Sequence, residues 1–394
     1  MIYIVLNNSP KYHGGVEQVV NNLLTNFSNE FKSNLILICN DQKEKKKFIY
    51  RGVFCINLKT RRFPNLDKLI LFSRLSYSYK IFKFLKKELK DGDVINVQGI
   101  EYNFFVSLFK KLIKIQFIYT TTIHGSFFEE YTQYVVKTLP LKYLPVKLFF
   151  YFFRWYFYFL ERASSKNVDY FIFINKYFRN YFNKQYNVAF NKGTVIYNGI
   201  NVSDRYYRKN KKNADFTGLI VGSTVYRKGL DYAIEIVNKF NKSGHNLKLR
   251  IVGFPDFYKY FNKDKLNNNI EYIGVVPHDK IAKHYKDSDF LLFPSRYEGF
   301  PLSVLEALQF NLPCLVSNVC SANEIPDFNK FGYVLNNYYL ADWLKFLDKI
   351  TDLKKYNELL ENIRKSNMSN FDWRKIAKDY ENIFLVLEKT YEIY

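Results

Sequence analysis

The sequence predicts an α/β protein built from two doubly wound parallel sheets. Short apolar runs rich in Val, Ile and Leu alternate with amphipathic helical stretches, the pattern of a parallel sheet covered by helices. The alternation fills the first half, breaks at a polar, charged segment over 201–216, and then restarts. At 394 residues the chain is long enough for two domains of ordinary size.

Each element follows from its own pattern. "IYIVL" opens as a strand, and Val16, Val19, Val20, Leu23, Leu24 and Phe27 then recur at helical spacing. Next come the strand "NLILIC", a basic helical stretch around 66–90, the strand "DVINV", a helix near 101–113 and the strand "QFIYTTTIHG". A long aromatic helix over about 142–164 leads to the strand "DYFIFIN". The segment 201–216 reads as a linker or as the first loop of a second domain. Beyond it lie "TGLIVGS", a helix over 229–242, "LKLRIVG", "IEYIGV", a helix over 279–286, "DFLLFPS", a helix over 301–310 and "PCLVSN". "WRKIAKDYENIFLVLEKTYEI" is a terminal helix, and no short-period repeat is present.

Composition excludes several classes. A hydrophobic content of 48% with 19% aromatics supplies packed cores and excludes a largely disordered chain. "MIYIVLNNSP" lacks a basic start and a cleavage site and reads as the first strand. The most apolar run, "LFFYFFRWYFYFL" over 148–160, holds Arg154 at its middle and falls short of the roughly eighteen residues of a membrane span. Cys39, Cys55, Cys314 and Cys320 show no metal-type spacing and are expected reduced, in a cytoplasmic setting. The net charge is +22 and is uneven. Residues 1–200 hold 30 Lys and Arg against 13 Asp and Glu, +17, and the remainder 29 against 24, +5. The first half is thus expected to meet an anionic surface, nucleic acid or acidic lipid, unless the charge is a compositional bias spread over solvated faces.

Candidate chemistry gathers where strands end, as expected for open parallel sheets. In "SRYEGFPLSVLEAL", Glu298 and Glu306 flank a Gly-Phe-Pro turn. Proline suits the first helical position, so the helix is expected to start near Pro301. Glu306 then lies about 7.5 Å along the axis, at about 1.5 Å per residue. The two carboxylates can grip the ends of one elongated polar ligand, with the free N–H groups of the first turn suited to phosphate between them. In "IVGSTVYRKGL", Arg227 and Lys228 beside a glycine loop make a diphosphate clamp or a solvated basic loop. Gly14 and Gly15 allow close backbone approach at a helix start, or form an ordinary tight turn. His124, followed by Gly125, ends a strand where a ligand is better placed than elsewhere; His13 is a weaker candidate in the glycine loop, and His245, His278 and His284 read as surface residues. Asp91 with Asp93, and Asp287 with Asp289, read as helix-to-strand turns, and no metal site is expected.

Taken in order, these segments resemble retaining glycosyltransferases of the GT-B fold, specifically glycosyltransferase family 4. "GGVEQVV" resembles the family's first glycine loop, "TIHG" its His-Gly, "IYNGI" over 196–200 the Asn-Gly that leads into its second domain, and "VGSTVYRKG" its Gly-x5-Lys-Gly loop. "LRIVG" and "YIGVVP" resemble its following strands, "DSDFLLFPSRYEGFPLSVLEAL" its E-x7-E signature, and "FDWRKIAKDYENIF" its closing helix. The resemblance implies two Rossmann-like domains facing across a cleft: an acceptor- and membrane-facing domain over 1–195, a nucleotide-sugar-binding domain over 196–370, and a terminal helix over 371–394 packing back toward the first. It assigns Glu298 to the donor sugar's hydroxyls and Glu306 to the ribose. Gly299, Phe300, Pro301 and Leu302 would line the sugar and phosphates, and Arg227 and Lys228 would neutralise the departing diphosphate. Gly14 and Gly15 would meet the donor, and His124 would lie beside the transferred sugar, followed by Gly125. Many members have arginine where this chain has Ser223, while some lipopolysaccharide members share a Gly-Ser…Arg-Lys-Gly loop.

The expected activity is therefore transfer of a hexose or N-acetylhexosamine, with retention and without metal or other cofactor. The donor is expected to be a UDP-linked sugar and the acceptor a lipid-linked, lipopolysaccharide or capsular saccharide. Such an enzyme would be cytoplasmic and peripheral on the inner membrane face, with an anionic membrane surface as a partner and no nucleic acid. A nucleotide-sugar epimerase of the same fold and a non-catalytic partner subunit are the alternatives. The aromatic helix over 142–164 reads equally as core or as an interfacial helix on anionic lipid.

Overall fold

A computed structural model describes residues 1–391 apart from 13, 61–69, 113–114, 133–143, 263–265, 320, 326 and 337. His13, Cys320 and the outer ends of the stretches expected at 66–90 and 142–164 lie outside the described residues. The chain forms two compact units. One takes the described residues up to Gly199 together with the chain from Phe371; the other is Ile200–Asn370.

In the first unit the order is β1 (Ile2–Val5), α1 (Gly15–Asn26), α2 (Asn29–Ser33), β2 (Leu35–Cys39), β3 (Lys47–Tyr50), β4 (Val53–Asn57), α3 (Ile70–Glu88), β5 (Val94–Gln98), α4 (Phe104–Phe109), β6 (Ile118–Ile123), α5 (Phe127–Glu129), α6 (Leu144–Ser165), β7 (Tyr170–Phe173), α7 (Lys176–Tyr186) and β8 (Gly193–Val195). The strands pair as β3-β4-β2-β1-β5-β6-β7-β8, parallel throughout except for β3 against β4. That hairpin was not expected from the sequence. Its two-residue turn, Arg51 at φ 49° and Gly52 at φ 80°, has the doubly positive φ that suits the twist of paired strands.

The second unit runs β9 (Phe216–Gly222), α8 (Leu230–Lys242), β10 (Leu247–Gly253), α9 (Phe257–Tyr260), β11 (Ile270–Gly274), α10 (His278–Lys286), β12 (Phe290–Phe293), α11 (Leu302–Gln309), β13 (Cys314–Ser317), β14 (Gly332–Leu335), α12 (Leu340–Thr351) and α13 (Leu353–Lys365). Its strands lie in the order β11-β10-β9-β12-β13-β14, all parallel. The central strands of both sheets, such as β1, β5, β12 and β13, are buried on two faces, which is why most of them read as continuous apolar runs. The alternation read from the sequence stops at 318, whereas the structure continues through β14, α12 and α13. α12 and α13 bring Trp343, Leu347, Tyr356 and Leu360 into the core at helical spacing.

The terminal helix α14 (Trp373–Tyr391) belongs to the first unit, with Phe384 stacked 6.2 Å from Phe31. The segment over 201–216 is the first loop of the second unit rather than a free linker. Arg205 donates to Ser366 O at 2.8 Å, Arg208 to Tyr285 O and Lys286 O at 2.9 Å, and Lys211 pairs with Asp289 at 3.0 Å. The two arginines thus donate to carbonyls at the ends of α13 and α10. Both Asp pairs sit at helix-to-strand turns, just before β5 and β12.

Candidate active site

Strand order decides where the second unit can bind a ligand. Chain connections leave β9 in one direction along the sheet and β12 in the other, and it is at the carboxyl ends of strands flanking such a switch point that open parallel sheets hold ligands. The loop after β9 holds Ser223–Gly229 and the loop after β12 holds Ser295–Pro301. Arg296 N–H donates to Arg227 O at 2.8 Å, and the Arg296 guanidinium forks onto Asp231 of α8 at 2.7 and 2.9 Å, so the two loops form one assembly. Gly229 sits at φ +68°, and a Cβ there would lie 1.9 Å from Pro294 O; no other residue fits this closure.

Within the assembly, Lys228 Nζ lies 2.8 Å from Glu298 Oε1 and Arg227 3.9 Å from Glu298 Oε2. The Ser295 hydroxyl donates to Glu298 Oε1 at 2.6 Å. Burial alone would raise the Glu298 carboxyl, but Lys228, Arg227 and Ser295 outweigh it and hold the group below its ordinary value. Burial also lowers Lys228, against the pull of Glu298. The result is a charged pair fixed in advance beside a second cation. An ammonium has three protons, and Glu298 takes one.

α11 begins at Leu302 with Pro301 as its cap, one residue later than expected, because Pro301 sits at ψ 83°, outside the helical region. Glu306 lies on this helix, where the buried Tyr285 hydroxyl donates to its Oε2 at 2.7 Å. Phe300 and Pro301 are buried, and Gly299 and Leu302 are half-buried at the helix start. Ser223 is exposed, and its hydroxyl lies 3.5 Å from that of Thr224. Two participants escaped the sequence reading. Ser295 is a buried polar residue closing an apolar strand; Ser303, in the first turn of α11, has a buried hydroxyl with no hydrogen-bond partner among the described residues. A polar residue inside "FLLFPS" and "FPLSVLEAL" was the available signal.

In the first unit the corresponding divergence lies between β1 and β5. Gly14 caps α1 with extended backbone, and a Cβ at Gly15 would meet nothing within 4 Å, so open space lies over this turn. His124 and Gly125 follow β6, two strands from β1. His124 Nε2 is 2.7 Å from Gln98 Oε1, and burial pushes the imidazole down to about 4, so it is neutral at pH 7. Ser126 then caps α5 and, with Phe127 N–H, Phe128 N–H and Tyr186, hydrogen-bonds the buried Glu161.

Two family models match successive parts of the chain: Glycosyltransferase Family 4 over residues 13–204 and Glycosyl transferases group 1 over 203–369. The O-antigen biosynthesis glycosyltransferase WclY of Escherichia coli is 27% identical over 312 residues, 76% of this chain and 81% of that one. Among solved structures, sucrose-phosphate synthase from Thermosynechococcus elongatus superposes with TM-score 0.76 at 15% identity, covering 99% of both chains. Anabaena Alr3699/HepE in complex with UDP-glucose gives 0.68 at 12% identity, over 98% of this chain and 100% of that one. The chain is a glycosyltransferase of the GT-B fold. It belongs to the glycosyltransferase family 4-like group.

Proposed function

We propose that the protein is a retaining, metal-independent hexosyltransferase that takes a UDP-linked hexose or N-acetylhexosamine to a saccharide acceptor of the lipopolysaccharide or capsule type. The observation that supports this best is the prepaired Arg227–Lys228–Glu298 cluster at the start of α11. Cleavage of a glycosyl–phosphate bond builds negative charge on the leaving diphosphate, and fixed cations stabilise that charge without reorganising at the moment of reaction. Arg227 and Lys228 supply the positive charge a metal would otherwise bring. Glu298 takes sugar hydroxyls, Glu306 the ribose, and the donors around Ser303 the phosphate.

In this reading the C1–O bond to the diphosphate breaks as the acceptor oxygen bonds C1 on the same face. The acceptor proton passes to a phosphate oxygen, so charge and proton balance without a protein nucleophile. In the first unit, His124 is the residue that takes a sugar hydroxyl. The UDP preference is supported by the HepE–UDP-glucose likeness, and the acceptor class by relatives such as WclY. The test is binding of UDP-, GDP- and dTDP-sugars, with and without chelator, to wild type, Glu298→Ala, Glu306→Ala and Lys228→Ala. The expected result is selective binding of one UDP-sugar, indifferent to chelator and weakened at least tenfold by each substitution, since a hydrogen bond to a charged group contributes about 1.5–3 kcal/mol. Binding that ignores all three places the donor elsewhere.

A second, compatible reading concerns location. α6 presents Leu148, Phe152, Trp155 and Phe159 to solvent on one face, while Phe157 and Leu160 on the opposite face are core. The same exposed face continues into Arg162 and Lys166. With Lys192 they surround a cavity of about 540 Å3 floored by Val168 and Phe171. An aromatic stripe ending in a cationic pocket fits a peripheral helix on anionic lipid. No helix among the described residues is long and apolar enough to cross a membrane.

A further inference from the structure

Parallel strands covered on both faces are ordinarily filled by Val, Ile and Leu. β5 and β6 depart from this. Asn96, Gln98, Thr120 and Thr122 are fully or almost fully buried in the first sheet. Residues two apart on a strand share a face, and the register sets Asn96 opposite Thr120 and Gln98 opposite Thr122. The row ends at His124.

The direction of every hydrogen bond in this row follows from its first member. A backbone carbonyl only accepts, so the Thr120 hydroxyl donates to Ile95 O at 2.8 Å. With that proton committed, Thr120 Oγ1 accepts from Asn96 Nδ2 at 2.9 Å. Asn96 Oδ1 therefore points the other way, accepting from Thr122 Oγ1 at 3.1 Å and from Gln98 Nε2 at 2.5 Å. Gln98 Nε2 directs its second proton to Thr122 Oγ1 at 3.3 Å. Gln98 Oε1 is left facing His124 at 2.7 Å, so Nε2 of the ring is the donor. In a neutral imidazole the other nitrogen is then an acceptor. Reversing the amides would set Asn96 Oδ1 against a Thr120 oxygen whose proton is already engaged.

We propose that Thr120, Asn96, Thr122 and Gln98 form a one-way hydrogen-bond chain that fixes His124 as its Nε2–H tautomer and offers Nδ1 as an acceptor for a sugar hydroxyl, with Gln98 the positioning residue. The consequence is chemical. An Nδ1 lone pair accepts a hydrogen bond from a hydroxyl and cannot donate to a phosphate oxygen, so His124 serves a sugar hydroxyl rather than a phosphate. The sugar-facing clause rests on the glycosyl-transfer reading above; the tautomer does not.

The experiment is long-range 1H–15N correlation NMR at pH 7 on the full-length protein labelled at histidine, with His124→Asn to assign the His124 signals. Wild type is expected to show a pyrrole-type Nε2 and a pyridine-type Nδ1. Gln98→Leu removes the acceptor and Thr120→Val removes the first link, and each is expected to move both nitrogens toward a tautomer average. An Nδ1–H or averaged ring in wild type overturns the proposal, as does a tautomer unchanged in both variants. If Gln98→Leu does not fold, Thr120→Val, which exchanges a hydroxyl for a methyl, decides alone. On the same proteins, release of UDP from the bound UDP-sugar is expected to fall about tenfold in kcat in Gln98→Leu with KM within about twofold, the loss of one oriented hydrogen bond. A tautomer that moves while kcat does not overturns the sugar-facing half and leaves the hydrogen-bond chain standing. Wild type that releases no UDP refutes the UDP-sugar reading without touching the NMR result.

Discussion

Glu298 is buried and Lys228 mostly so, so each sustains the other's charge and neither is readily replaced. Removing one member of a buried pair costs about 3–5 kcal/mol because the survivor is stranded, which makes Lys228→Ala a blunt probe. pH is sharper. The Lys228 ammonium is held below its ordinary 10.5, chiefly by burial. Donor affinity that depends on this charge is fully present below the lowered value and is lost as pH rises through it. Binding of the UDP-sugar by wild type is therefore expected to weaken at a pH below 10.5, while Lys228→Arg, whose guanidinium stays charged, holds its affinity across the same interval. Titration of affinity between pH 7 and 10.5 checks this, and coincident curves for the two proteins remove Lys228 from the phosphate. Glu298 acts in the opposite sense. Its carboxyl lies below its ordinary 4.5, so the pair survives mild acid and fails only as pH falls through that lowered value.

At the scale of elements, legibility followed periodicity. α1, α8, α10 and α11 were readable because apolar residues recur at 3.6 spacing, and β9 and β12 because they are continuous apolar runs. The site loops were readable because glycines and cations punctuate those runs. Ser295, Tyr285 and Gln98 were not: Ser295 meets Glu298 through the shape of the loop after β12, Tyr285 of α10 meets Glu306 of α11 21 residues on, and Gln98 meets His124 26 residues on through sheet register. α6 shows both outcomes. Its aromatic content was plain, but which face is core depends on what the sheet covers. Its buried face also holds Glu161, whose carboxyl takes donors from Ser126, Phe127, Phe128 and Tyr186 and so anchors the turn after Gly125. Burial pushes this carboxyl up to about 7 although those donors favour the ionised form. A folded value above the unfolded 4.5 means the native state retains a proton that the unfolded chain releases. Stability then falls as pH rises from about 4.5 to 7, by on the order of 3 kcal/mol. Thermal unfolding of wild type and Glu161→Gln across that interval is expected to show this slope in wild type and its loss in the variant. Parallel curves exclude Glu161 as the titrating group.

For the whole molecule the question is why so much positive charge lies in the first 200 residues, +17 of the total +22. Phosphate binding does not account for it, since the cations of the candidate donor site, Arg227 and Lys228, lie in the second unit. The proposed contact with anionic lipid would account for it where apolar surface lies beside the charge, because each Lys or Arg near such a surface contributes about 1 kcal/mol and an interfacial aromatic supplies what charge alone lacks. α6 offers both along about 33 Å, at about 1.5 Å per residue. Its stripe and its pocket have separable signatures. Phe152→Ser with Trp155→Ser and Phe159→Ser is expected to weaken binding to vesicles of any composition. Arg162→Ala with Lys166→Ala and Lys192→Ala is expected to abolish only the preference for vesicles containing phosphatidylglycerol over pure phosphatidylcholine, by about a hundredfold at low salt and less at 0.5 M, where screening is strong. Lys83→Ala with Lys86→Ala and Lys87→Ala removes the same charge from α3 and is the control. If it costs as much as the pocket substitutions, the +17 acts as a diffuse field and α6 has no special place in it. If the pocket substitutions alone remove the preference, the charge asymmetry has a structural address, at the edge of the first sheet opposite the strand ends that bear His124.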